Sequence, residues 1–169
     1  MAQDEGRVEE RERSERRLEK WDRLGFVSLG FFLVLVGIIY LTTPNCYGEF
    51  VAFFKDFKLV KVAPNVFFPA PASNHPVVYG AVMEFCFVFG PFQIVLLGLR
   101  FVLRDTLSRK AETLSGIIFW LGAGFLLNML FVENIGWFAF LGGLIIFVGL
   151  SLVLRSLVVL LFGVTRQER

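Results

Sequence analysis

The chain has 169 residues, of which 56% are hydrophobic, including 21 Phe, and its mean hydropathy is +0.66. That excludes an ordinary soluble domain, whose composition is nearer half apolar. The formal net charge of +2 conceals an uneven distribution, because charge gathers at the N-terminus and in one short connection.

Residues 1–23 hold seven Lys/Arg and eight Asp/Glu. Glu9 with Arg13, Glu12 with Arg16 and Glu19 with Arg23 stand at helical spacing, which stabilises an exposed helix by only a few tenths of a kcal/mol per pair. The segment reads as a solvated cytoplasmic tail, and its balanced charge excludes a nucleic-acid arm. Trp21 marks the water interface, where Trp concentrates near membrane helices.

Four apolar blocks follow, at 24–43, 77–99, 114–132 and 135–154. A bilayer core about 30 Å thick needs about 20 helical residues, so each block is long enough to span it or nearly so. The expected fold is an all-α integral membrane protein: a compact bundle of four transmembrane helices at about 24–43, 77–103, 112–132 and 135–163. The first block lacks a small-x-small cleavage pattern and reads as a retained helix, not a signal peptide.

The loop 44–76 faces the extracytoplasmic side in this reading. In its first half Phe50, Phe53, Phe54 and Phe57 follow the i, i+3, i+4, i+7 pattern of a short interfacial helix. Its second half carries Pro64, Pro69, Pro71 and Pro76, which predict an extended, irregular course.

Orientation follows from bases near the helix ends. The connection after the second block carries Arg100, Arg104, Arg109 and Lys110, whereas "VEN" after the third has none. Both termini, including the tail 164–169, then face the cytoplasm of a multi-pass protein in the cell membrane. Three Lys in the loop 44–76 run against this orientation without reversing it. Arg100, Arg104 and Arg155 are candidate contacts for anionic lipid head groups, with positive-inside anchoring as the plainer reading.

Small residues supply close packing where lipid gives helices no hydrophobic reason to associate. Gly142, Gly149, Ser156 and Gly163 recur every seven residues and form one packing seam on the fourth helix. It serves either contact within one bundle or dimerisation. On the second helix Gly80, Glu84, Pro91 and Gly98 share a face, which predicts that Glu84 points into the bundle; Pro91 predicts a kink after Gly90.

Glu84 is the one carboxylate within an apolar block. It lies about 10 Å from the outer end of its helix and Asn128 about 6 Å from the outer end of the next, so the two are a candidate intramembrane polar cluster. An ionisable residue at that depth marks a functional site by default. The alternative is a protonated Glu hydrogen-bonded across two helices.

No nucleotide loop, zinc-binding pair or Ser/His/Asp set can be assembled from spacing, with His75 alone in the proline-rich loop. Cys46 and Cys86 read as free thiols. No cofactor, metal or catalytic residue is expected. The expected partners are the lipid bilayer and either a second copy or another membrane protein. Two functions remain: a structural, accessory or partner-binding membrane protein, and a small proton- or cation-coupled transporter or channel acting as a homo-oligomer through Glu84.

Overall fold

The computed structural model describes residues 24–103 and 105–164. The expected N-terminal tail, Arg104 and the last residues of the C-terminal tail lie outside the described residues. The chain divides into two compact units, Met1–Leu35 and Val36–Arg169. The first unit's described part is helical from Leu24, and this helix, α1, runs to Thr42.

The second unit continues with α2 (Cys46–Lys55), β1 (Phe57–Ala63), β2 (Val66–Pro71), α3 (Pro76–Val102), α4 (Leu107–Phe131) and α5 (Trp137–Val164). The protein is mostly helical, and α1, α3, α4 and α5 are each long and apolar enough to cross a membrane. Helix α4 packs against both α3 and α5. The contacts thus describe helices layered about α4, and the compact four-helix bundle expected from the sequence is not shown by them.

Close approach at α4 depends on glycine. A β-carbon on Gly122 would overlap the Phe147 ring of α5, one on Gly90 would come within 2.7 Å of Leu121, and one on Gly124 within 3.0 Å of the Cys86 Cβ. Helix α4 begins at Leu107, five residues before the expected helix start at 112. Its first turns carry Ser108, Arg109, Lys110 and Glu112 and precede the apolar block. Hydropathy marks only the apolar part of such a helix.

The all-α expectation is corrected by a β-hairpin. Strands β1 and β2 pair antiparallel, with Phe57 opposite Pro71, Leu59 opposite Pro69 and Lys61 opposite Phe67. Pro64 and Asn65 make the turn, and Asn65 takes φ 65°, the left-handed conformation that a type II turn requires after its proline. The register shifts between Lys61 and Ala63, a bulge that adapts the turn to the ladder.

Proline argued against this strand, yet Pro69 and Pro71 stand two residues apart, so their nitrogens face one side. In a two-stranded sheet both strands are edges, and that side can face away from the partner without losing a ladder bond. Helix α3 runs unbroken through Pro91.

Candidate functional site

Two polar regions emerge, at opposite ends of α3, together with the isolated Glu84 between them.

At the hairpin end Asp56 follows α2 as its C-cap. Its Oδ2 accepts three hydrogen bonds, from the Ser73 backbone N–H at 2.6 Å, the Ser73 hydroxyl at 2.8 Å and His75 Nε2 at 3.1 Å. Its carbonyl accepts the Ala72 N–H at 3.1 Å. The Ser73 hydroxyl bond, then the Ser73 N–H and then His75, hold the carboxyl down from 3.8 to about 2, against the opposing effect of burial. This clasp fastens the end of α2 to the segment entering α3, across the whole hairpin. Sequence spacing left His75 alone because the hairpin returns it to Asp56 from 19 residues away.

Above the clasp, rings gather around Phe53. Its centroid lies 5.1 Å from Phe57, 5.4 Å from His75, 6.0 Å from Trp137 and 6.1 Å from Tyr79, all edge-on, the geometry that ring quadrupoles favour. Trp137, first residue of α5, donates its indole N–H to the Pro69 carbonyl at 3.3 Å. A strand residue points its nitrogen and carbonyl to the same side, so the outward-facing proline leaves this acceptor free.

The connection from α4 to α5 closes the region. Asn134 N–H bonds the Met129 carbonyl at 2.9 Å and Glu133 N–H bonds the Leu130 carbonyl at 3.1 Å. This is a Schellman end, with Glu133 at φ 58° in the position usually given to glycine. Asn74 Nδ2 donates to Glu133 Oε1 at 2.5 Å. A cavity of about 350 Å³ opens here, with Asn74, Tyr79, Glu133, Asn134 and Trp137 in its wall.

Glu84 is exposed. Helix α3 buries Val78, Tyr79, Ala81, Phe85, Cys86, Phe89, Gly90 and Leu96, while Pro91 and Gly98 are exposed with Glu84. Of the expected face only Gly80 turns towards α4, half-buried and with a β-carbon there 3.7 Å from Phe131, while Glu84, Pro91 and Gly98 turn outward. Bulky aromatic residues of α3 fill the contact with α4, where Phe85 and Phe89 both pack against Trp120. Asn128 is also exposed, and its Nδ2 donates to Met83 Sδ at 3.4 Å. Glu84 and Asn128 lie at one level, but no hydrogen bond joins them among the described residues.

At the other end of α3, Arg100 is half-buried and donates from Nη1 to the Arg109 carbonyl at 2.6 Å. Arg109 Nη1 stands 3.9 Å from Asp105 Oδ2, and Lys110 Nζ lies 4.5 Å over the Phe101 ring. Arg100 thus ties α3 to the start of α4. Arg155 is exposed on α5. Of the expected seam, Gly142, Gly149 and Ser156 are exposed, and a β-carbon at either glycine would meet nothing within 4 Å. Gly143, one residue away, is the glycine that meets α4, at Leu126.

No protein-family model, curated protein or solved structure matches this chain.

Proposed function

We infer that the chain is a multi-pass membrane protein of accessory, partner-binding type, and that another membrane-embedded chain meets α3 at Glu84. The observation that carries this reading is the exposed carboxylate, which has no hydrogen-bond partner among the described residues. It follows the start of α3 by eight residues, about 12 Å along the helix. A charged side chain facing lipid at depth costs about 3 kcal/mol on insertion scales, so such residues face protein or water and pair there. A donor from a neighbouring chain removes that cost.

The reading places the protein in the cell membrane with both termini cytoplasmic. Its support is the contrast between the Arg100–Lys110 end, rich in bases, and the connection 132–136, which has none. It assigns the clasp a structural role and no catalysis. The Ser73 hydroxyl directs its proton at Asp56 and not at His75, so the three residues do not form a nucleophile with its base.

Blue-native electrophoresis of mildly solubilised membranes tests the reading. The wild-type chain is expected in a complex larger than the monomer, and Glu84→Leu is expected to release it as a folded monomer. The same carboxylate also suits the second reading, a proton- or cation-coupled transporter in which the partner is another copy. Proton-coupled uptake lost in Glu84→Gln, with the homo-oligomer intact, would favour that one.

A further inference from the structure

The cavity at the hairpin end has a chemistry that neither reading of Glu84 uses. Its wall includes Glu133, Tyr79 and Trp137. Tyr79 is only 5% exposed, held in the ring cluster by Phe53. Trp137 is fixed by its bond to Pro69 and backed by Phe140 at 5.6 Å. Both rings are therefore rigid walls.

Glu133 is exposed, with its backbone set by the helix end and one carboxylate oxygen held. Its left-handed backbone, φ 58°, costs a residue with a β-carbon roughly 1–2 kcal/mol relative to the right-handed conformation. Glycine would fill this helix-ending position without that cost. Asn74 holds one carboxylate oxygen, Oε1. No Lys or Arg is among the residues lining the cavity, described residues being considered, so the charge has no resident counter-ion there.

A carboxylate and aromatic rings in one cavity wall attract a cation twice, through the ion pair and through the ring quadrupoles. The first turn of α5 carries a partial positive charge of about half a unit at most, which the full charge of Glu133 exceeds. The volume is near the lower end of the roughly 300–1,000 Å³ typical of small-molecule sites, and suits a compact group. We propose that this cavity binds an alkylammonium group, from the ethanolamine or choline head of a lipid or from a small free amine.

The test uses the full chain in nanodiscs, with Trp21→Phe and Trp120→Phe leaving Trp137 as the single fluorophore. In phosphatidylglycerol nanodiscs, tetramethylammonium and ethylammonium chloride are titrated against a sodium chloride control. In mixed nanodiscs, native mass spectrometry reads whether phosphatidylethanolamine or phosphatidylcholine is retained over phosphatidylglycerol. Saturable fluorescence change in the first arm identifies a free amine, and headgroup retention in the second identifies lipid. In either case Glu133→Gln and Glu133→Gly should weaken the response at least tenfold. Glu133→Gly suits its backbone conformation, so its loss of binding would not reflect loss of fold. No saturable response together with no headgroup selectivity in the wild type, or an undiminished response in the folded Glu133→Gly protein, would overturn the proposal.

Discussion

Asn128 donates its amide to the thioether of Met83 at 3.4 Å, while Glu84, the next residue of α3, is exposed without a hydrogen bond among the described residues. Two polar side chains thus stand at one level of two packed apolar helices. Phe85 and Phe89 of α3 occupy the contact with α4 together with the small residues Cys86 and Gly90, whereas Pro91 and Gly98 are exposed. Burying Phe85 and Phe89 removes more apolar area and gives more ring contact than burying a stripe of glycine and proline.

Glycine substitutions should separate the used packing surface from the unused one. Gly122→Ala forces a methyl group into the Phe147 ring and is expected to destabilise the protein by about 1–3 kcal/mol, the usual range for overpacking. Gly142→Ala and Gly149→Ala meet nothing, and should change the stability of the isolated chain by less than about 0.5 kcal/mol in the unfavourable direction. Denaturant unfolding in detergent measures all three.

The Asp56 clasp gives an acid limb with a defined sign. The folded-state pKa, about 2, lies below the ordinary 3.8, so the contribution of the carboxylate is fully present above the higher value. It is lost as pH falls through the lower one. The stability difference between wild type and Asp56→Asn is expected to be constant from pH 7 to about 5 and to shrink between about 4 and 2. Thermal unfolding across that range checks it, and a difference growing towards acid would show the sign to be wrong.

At Trp137, replacement by Phe retains an aromatic ring and removes the N–H donated to Pro69. A loss of about 0.5–1.5 kcal/mol is expected, the net worth of one hydrogen bond. It should appear mainly as faster amide exchange in β1 and β2, because this bond is where α5 holds the hairpin. Equal exchange in both proteins would show that the ring contacts alone hold it.

Glu133 allows a comparison within one position. Ala and Gly both remove the carboxylate and the Asn74 bond, but only Gly relieves the left-handed backbone. Glu133→Gly should therefore be more stable than Glu133→Ala by about 1 kcal/mol. Their relative melting temperatures in one detergent decide it.

The apolar spans were legible because hydrocarbon demands long uninterrupted apolar runs, and the short α2 was legible from its phenylalanine spacing, although Phe57, the last residue of that pattern, lies in β1. The hairpin was not, because Pro69 and Pro71 count against a strand until one knows that it has a single neighbour. The clasp was hidden with it, since only the hairpin brings Ser73 and His75 back to Asp56. Periodicity identified small residues on α5 but not which of Gly142 and Gly143 meets α4. A wheel drawn for one helix contains no information about its neighbour's side chains. Glu84 was conspicuous as a charge, yet its direction depended on that same missing information.

Cysteine cross-linking one turn from Glu84 can show whether another membrane chain meets α3 there. Val88 is 46% exposed on α3, so Val88→Cys can report what lies against this face in native membranes. The expected result is a specific disulfide or maleimide cross-link to another membrane-embedded chain, identified by mass spectrometry and abolished when Glu84→Leu is added. Cross-linking that is absent in the presence of Glu84, or that persists undiminished in Glu84→Leu, would contradict it.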